Sequence, residues 1–252
     1  MKSILITGAS SGFGLETARY FLERGWQVIA TMRTPQADLL PASDKLRMLP
    51  LDVTKAESIH AAIAAAGPID VLVNNAGVGY FNALEGVPME TIRKLFETNT
   101  LGTFAMTQAV LPQMRERQSG VIINVTSSVT FKALPLLSIY TATKAAVNAF
   151  TASLAIELAP LGIQARIVLP GRAPDTRFGE NAQAISTEIP EAYTELAQQM
   201  MAGFQQSNEP LTQSQDVAEA VWRAATDPDC PLRLPAGADA LQWAQAAGLE
   251  AK

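Results

Sequence analysis

Ile4-Leu5-Ile6-Thr7-Gly8-Ala9-Ser10-Ser11-Gly12-Phe13-Gly14 runs from three consecutive apolar residues straight into a glycine-rich turn. Three apolar residues without polar alternation read as a short strand buried on both faces. Residues 15–23 then carry helical spacing, and Gly25 closes the helix. The same alternation continues along the chain. Residues 27–31, 46–51, 71–73, 121–125 and 164–169 read as further strands, and Leu232-Arg233-Leu234 as the last. Residues 55–66, 90–114 and 140–158 read as helices between them. Short apolar runs separated by helices imply a parallel sheet covered on both faces, an α/β, doubly wound Rossmann-type domain. No repeat, low-complexity tract or linker interrupts residues 1–252, so a single domain is expected.

Composition narrows the function classes. The chain has 252 residues, 48% of them hydrophobic, enough for one sizeable core. A net charge of −5 and the lack of a basic cluster argue against nucleic acid as a partner. The one cysteine, Cys230, has no internal partner, which fits a reducing, cytoplasmic setting. The one histidine, His60, lies in a polar-to-alanine helical stretch and reads as a surface residue. Ser/His/Asp or Cys/His catalysis would both have to use it, and no metal site is expected. No run of eighteen apolar residues suggests a membrane span, and the apolar run at the N-terminus is too short for a secretory signal.

The first turn has the spacing Gly-x-x-x-Gly-x-Gly, not Gly-x-Gly-x-x-Gly, and lacks the Lys-Ser/Thr of an ATP-type phosphate loop. Gly8, Gly12 and Gly14, with Ser10, Ser11 and Phe13 between them, would let the backbone approach a pyrophosphate at a helix N-terminus. The alternative is a tight structural turn. The second strand ends Val28-Ile29-Ala30-Thr31-Met32-Arg33, without the acid that would bind the ribose hydroxyls of NAD. Arg33 offers a forked contact to a 2′-phosphate, so NADP(H) is expected and NAD(H) less so. Asp52-Val53 ends the third strand and either meets an adenine edge or caps the next helix, a task Thr54 could share. Asn74-Asn75-Ala76-Gly77 lies at the carboxyl end of a buried strand, where Asn75, Ala76 and Gly77 either contact a cofactor ribose or lock neighbouring strands.

Tyr140 and Lys144 are i and i+4 on an Ala-rich helical stretch, so both rise from one face about 6 Å apart. A phenol ionises near pH 10, and bringing it to neutrality takes about 4 kcal/mol of differential stabilisation. A neighbouring ammonium together with a bound cationic ring is expected to supply it, making Tyr140 a general acid and base. Ser127, after the fifth strand, is either a turn residue or a hydroxyl that holds a carbonyl beside Tyr140. Asn99 and Gly102 are poor mid-helix residues and predict a local irregularity with an inserted water.

In this order and spacing, Thr7-Gly8-Ala9-Ser10-Ser11-Gly12-Phe13-Gly14, Asp52-Val53, Asn74-Asn75-Ala76-Gly77, Asn99, Ser127, Tyr140-x-x-x-Lys144 and Pro170-Gly171 resemble the short-chain dehydrogenase/reductase family. The resemblance covers some two-thirds of the chain. It implies a seven-stranded sheet and a catalytic tetrad of Asn99, Ser127, Tyr140 and Lys144. Ser127 would orient the carbonyl, Lys144 would bind the nicotinamide ribose and lower the Tyr140 pKa, and Asn99 would hold a water leading from Lys144 to solvent. It also implies cofactor contacts from Pro170, Gly171 and Thr176. Two departures stand out: Ser128 is a second hydroxyl beside Ser127, and the 170–176 segment is one residue longer than the usual Pro-Gly-x-Val-x-Thr.

The expected activity is NADP(H)-dependent hydride transfer between nicotinamide and a carbonyl or secondary alcohol. A small apolar substrate is expected, covered by residues 131–137 and a loop over about 171–210. The competing class is a non-catalytic NADP(H)-binding sensor or scaffold. The resemblance implies a homodimer or homotetramer through the helices at 90–114 and 140–158.

Overall fold

The computed structural model describes residues 1–206 and 210–249, so positions 207–209 of the expected covering loop and 250–252 of the domain lie outside the described residues. In chain order the elements are β1 (Ser3–Thr7), α1 (Gly12–Glu23), β2 (Gln27–Met32), β3 (Leu46–Pro50), α2 (Ala56–Ala66) and β4 (Val71–Asn74). Next come α3 (Met89–Phe96), α4 (Gly102–Arg117), β5 (Gly120–Val125), α5 (Ser138–Leu158) and β6 (Ile163–Pro170). The last are α6 (Phe178–Ala184), α7 (Thr194–Gln206), α8 (Ser214–Thr226), β7 (Arg233–Ala236) and α9 (Ala238–Ala246).

The strands form one seven-stranded parallel sheet in the order β3-β2-β1-β4-β5-β6-β7. The pleat divides each apolar run between two cores. Ile4, Ile6, Val28, Ala30, Val71 and Val73 face Phe21 of α1 and Val217 and Val221 of α8. Leu5, Ile29, Leu72 and Ile122 face Met106 and Val110 of α4, Ile59 of α2 and Leu154 of α5. Both faces are covered, which is why the strands carry no polar alternation. Phe21 is fully buried, and truncating a ring so placed costs about 3–5 kcal/mol. No helix of the described residues is long and apolar enough to cross a membrane.

The chain runs outward from β1 in both directions, to β2 on one side and β4 on the other. The loops leaving these strands diverge, and a crevice opens at their carboxyl ends. Polar side chains tie the strands beneath it. Asn74 Nδ2 donates to Asn124 Oδ1 at 2.9 Å and to Thr107 Oγ1 at 3.2 Å, and Asn124 Nδ2 donates to Thr151 Oγ1 at 2.8 Å. One asparagine of the pair at 74–75 thus locks β4 to β5 and α4.

The helix expected over 90–114 is divided around Asn99, where an irregularity was expected. Between α3 and α4, Glu97–Leu101 forms one π-helical turn while the flanking backbone stays right-handed. Such an extra residue inside a helix is a π-bulge, and here it carries Asn99. The segment expected as a covering loop holds two helices, α6 and α7.

Candidate active site

The glycine turn is built by steric necessity. Gly8 (φ 69°) and Gly12 (φ 53°) occupy the left-handed region that costs any Cβ-bearing residue. A Cβ on Gly14 would run into Gly8 O and lie 2.5 Å from Asn75 Nδ2. Gly14 therefore lets α1 start against the β4 exit, and it is not among the residues lining the cleft. Thr7 Oγ1 accepts from Asn75 N and Ala76 N, both at 3.0 Å, while Asn75 Nδ2 donates to Thr7 O (3.0 Å) and Gly8 O (3.1 Å). These bonds clip the Asn75-Ala76 loop to the glycine turn. Thr7 was not singled out in the sequence; its signal was a buried hydroxyl at the last position of an apolar strand.

A cleft of about 970 Å³ opens above this turn, lined by Gly8, Ser10, Ser11, Gly12 and Phe13 on one wall and by Asn75, Ala76 and Gly77 on the next. Ser11, at the N-cap of α1, makes no side-chain capping bond, and the first turn of α1 holds no acid. The positive end of α1 is thus left for an anion in the cleft.

Arg33, Asp52 and Val53 line the far end. Arg33 is exposed at the rim. Asp52 accepts from Thr54 Oγ1 (2.7 Å) and Thr54 N (3.0 Å), and these bonds, with Lys55 and Arg33 nearby, hold its carboxyl below the usual value. Neither Asp52 nor Thr54 caps α2, whose N-cap is Lys55 without a side-chain bond. Val53 packs under α4, where a Cβ on Gly102 would lie 2.8 Å from Val53 Cγ2.

Tyr140 and Lys144 rise together from α5 into the inner end of the cleft, both buried. Ser127 follows β5; its Oγ accepts from Val129 N at 3.3 Å, and its side chain is near enough to the Tyr140 phenol to pull that group's pKa down a little. Ser128 instead opens the short 3-10 turn Ser128–Thr130 and is buried. Lys144 Nζ donates to Val125 O at 3.2 Å, and a Cβ on Gly77 would lie 3.3 Å from it. Asn99 Oδ1 accepts from Val78 N (2.8 Å), and Asn99 Nδ2 donates to Val78 O (2.9 Å) and Thr143 Oγ1 (3.1 Å). Asn99 and Ser127 are both buried, Asn99 against the Val78 backbone and Ser127 next in the chain to the cleft-lining Thr126. Thr143 is fully buried between Asn99 and the Tyr140 carbonyl, a partner that no sequence motif marks.

The expected lowering of the Tyr140 pKa is not what the protein by itself produces. Burial pushes the phenol above its ordinary value, and the Ser127 side chain offsets only part of this. Burial likewise brings Lys144 down to about 8. Lys144 Nζ lies 6.0 Å from the Tyr140 ring centroid and does not reverse the effect of desolvation on the phenol.

Pro170 and Gly171 also depart from expectation: neither lines the cleft. Gly171 N donates to Thr212 Oγ1 (3.0 Å) and Ala236 O (3.2 Å), and Arg172 N donates to Asp239 Oδ2 (2.6 Å). A Cβ on Gly171 would collide with the buried Asp239 carboxylate, which also accepts from Thr212 Oγ1 at 2.6 Å. The extra residue of this segment is thus absorbed in a turn anchored to β7 and α9. Thr176 does reach the cleft, its Cβ 3.2 Å from a Cβ built on Gly12. Beyond it Arg177, Phe178, Asn181 and Ile185 cover the cleft, and the Phe178 ring meets the Tyr140 ring edge-on at 5.5 Å. Asn82 fastens the segment between α6 and α7 by donating to Thr187 O (3.1 Å) and Glu188 O (3.1 Å).

A dinucleotide fits this donor set. The uncapped α1 N-terminus suits a pyrophosphate, Arg33 suits a further phosphate, and the Thr126 hydroxyl, in the cleft wall beside Lys144, is buried with no partner among the described residues. His60 is exposed and remote from these residues in function, and no cluster of three or more metal-ligating side chains occurs among the described residues.

A model described as short chain dehydrogenase matches residues 2–185. The oxidoreductase YusZ of Bacillus subtilis (strain 168) is 38% identical over 251 residues, covering 94% of this chain and 89% of that protein. Among solved structures, a short-chain dehydrogenase from Streptomyces avermitilis superposes with a TM-score of 0.82 at 34% identity, covering 97% of this chain and 91% of that one. The closed form of a serine dehydrogenase complexed with NADP+ superposes with a TM-score of 0.79 at 29% identity, covering 93% and 94%.

Proposed function

The chain belongs to the short-chain dehydrogenase family of oxidoreductases, and from that premise we propose that it is NADP(H)-dependent, moving hydride between nicotinamide and a carbonyl or secondary alcohol with Tyr140 as general acid and base. The observation that carries this reading is the shared face of α5 at the inner end of the cleft, where buried Tyr140 and Lys144 stand one helical turn apart, with Lys144 Nζ 6.0 Å from the Tyr140 ring centroid.

The nicotinamide, when bound, supplies or takes up the hydride. The protein's part is proton handling and orientation. The Ser127 hydroxyl holds the substrate oxygen beside the phenol, and Tyr140 Oη donates its proton to that oxygen as the alkoxide forms. A phenol pushed up by burial stays protonated, which suits it as the acid in reduction. In oxidation the same oxygen must accept a proton, so the phenolate needs local positive charge. Lys144, with its pKa brought to about 8, can return a proton to Tyr140 near neutral pH, and its hydrogens not given to Val125 O are free for a ribose hydroxyl. Asn99 fixes the Val78 backbone beside Lys144. Arg33 is assigned the 2′-phosphate, and the NADP+ complex of the serine dehydrogenase is consistent with that preference.

The cover of the cleft is mixed, Val78, Phe178 and Ile185 lying beside Arg177 and Asn181, and its apolar members support a small apolar carbonyl compound or alcohol. A homodimer or homotetramer through α4 and α5 is supported by Leu101, at the end of the π-turn that leads into α4, and Ile156 of α5, which stay 46% and 79% exposed.

The test is NADPH consumption, followed by absorbance, across a panel of ketones and aldehydes. Tyr140→Phe is expected to remove turnover and spare NADPH binding; turnover equal to that of the unaltered protein would overturn the role of Tyr140. Tight NADPH binding without turnover on any carbonyl compound would favour a sensor or scaffold instead.

A further inference from the structure

Phe178 opens α6 and is held between two partners. Its ring meets that of Tyr140 edge-on, centroids 5.5 Å apart and planes at 60°. Its far edge fills a socket at Gly79. A Cβ built there would lie 2.6 Å from Phe178 Cε1 and 2.7 Å from Cζ, with Ala182 Cβ 3.3 Å away. Gly79 does not have a positive φ, so glycine is needed at this position for space, not for backbone freedom. The socket is rigid on both sides. Val78 is clamped through its N–H and its carbonyl to Asn99, and Tyr80 is buried and hydrogen-bonded to Thr187. Phe178 itself stays 40% exposed and lines the cleft, so one face of the ring is open to whatever sits beside Tyr140.

We propose that Phe178, seated in the socket left by Gly79, is a specificity-determining wall that sets which apolar substituent on the carbonyl carbon is admitted beside the Tyr140 hydroxyl. The substituent it selects is flat and apolar, an aryl or short alkyl group that lies against the open ring face. The inference rests on the reading of Tyr140 as the proton donor; the seating of Phe178 does not. An aromatic edge on the phenol also excludes water from the proton-transfer site, in keeping with the burial that raises the Tyr140 pKa.

Two measurements test the two halves separately. The first is the ratio of kcat/KM for a bicyclic aryl methyl ketone to that for its phenyl counterpart. Phe178→Ala removes the wall and is expected to raise this ratio at least tenfold, with Phe178→Leu between; an unchanged ratio overturns the specificity role. The second is the rate of tryptic cleavage after Arg177, whose side chain is 68% exposed, read by mass spectrometry on the protein without substrate. Gly79→Ala meets only the mobile end of a side chain, so the fold survives while the ring is expelled. Cleavage after Arg177 is expected to rise at least fivefold. In the double variant Gly79→Ala/Phe178→Ala the rate should match that of Phe178→Ala alone, because no ring remains to be displaced. Effects that simply multiply would overturn the socket. Failure of every ketone to turn over would overturn the activity and the substrate half together, while the cleavage rates would still decide the seat.

Discussion

Lys144 Nζ stands 6.0 Å from the centroid of the Tyr140 ring and gives its hydrogen bond to Val125 O, at 3.2 Å, at the end of β5. The pair thus shares a helix face, but the amine is fastened to the sheet. Both groups are buried, and burial holds Lys144 at about 8 against an ordinary 10.5. Between those values the unfolded chain binds the proton more than the folded one, so stability rises with pH from about 8 to about 10.5 on this account. Tyr140 is shifted upward, so above about pH 10 the unfolded phenol ionises first and stability falls again. Below pH 8 the full cost of the buried amine is present, on the order of 3 kcal/mol before the lost bond to Val125 is counted. Lys144→Met is therefore expected to be more stable than the unaltered protein at pH 7, with the advantage shrinking between pH 8 and 10. Urea unfolding at several pH values checks this; an advantage that does not change with pH would remove the amine's titration as its cause.

Arg33 is the exposed cation at the far end of the cleft to which the proposed function assigns the 2′-phosphate of NADP(H). Its neighbour Asp52 is held ionised by Thr54 first, then by Lys55 and Arg33, so a reversed charge at 33 also disturbs Asp52. Arg33→Asp removes a charge-assisted contact worth about 1.5–3 kcal/mol and adds a ribose-binding acid. The ratio of kcat/KM for NADPH to that for NADH is expected to fall at least tenfold. A ratio that stays put would mean that another residue reads the 2′-phosphate.

The strands, the glycine turn and the Tyr140/Lys144 face were legible because each rests on local periodicity or local sterics. Ile4 to Ile6 could be buried only between two helical layers, and residues 140 and 144 could only share a face. What the sequence hid was long-range or collective. Asp239 meets Gly171, Arg172 and Thr212 across 27 to 68 residues, and nothing near Asp239 marks it as a buried carboxylate. Asn99 and Gly102 announced an irregular helix, but a π-turn depends on how Val53, Val78 and Thr143 pack around it. The sign of the Tyr140 shift depends on burial, and a one-turn spacing cannot report how much water a phenol keeps. The covering segment was expected as a loop; its helices α6 and α7 keep Phe178, Leu196 and Met201 partly exposed, so they lack the buried face that marks the helices against the sheet.

Gly14 and Gly179 both lie in helices and make opposite predictions. At Gly14 a Cβ would strike Gly8 O and crowd Asn75 Nδ2, both parts of the clip between the first turn and β4. At Gly179 a Cβ would meet nothing within 4 Å. Gly14→Ala is expected to cost about 2 kcal/mol or more, as overpacking against backbone does, and to weaken NADPH binding. Gly179→Ala is expected to be neutral or stabilising by up to about 1 kcal/mol through helix propensity. Paired thermal melts and NADPH titrations check both; a harmless Gly14→Ala would mean the turn has slack that its close contacts deny.

Asn99 is the bracket between the π-turn and the Val78 backbone. It is 1% exposed, and its amide partners both polar groups of Val78 as well as the Thr143 hydroxyl. Asn99→Ala leaves buried donors and acceptors unpaired, each costing about 1–3 kcal/mol unless water enters. The expected loss in urea unfolding is about 3 kcal/mol. Asn99→Asp keeps the acceptor for Val78 N but loses both donations, and it places a carboxylate where Val78 O is already negative, so it should be no better than alanine. Thr98→Ala, on the same turn but with no such bonds, should change stability by less than about 1 kcal/mol. If Asn99→Ala and Thr98→Ala unfold at the same urea concentration, the π-turn is held by packing of Val53 and Gly102 and not by this side chain.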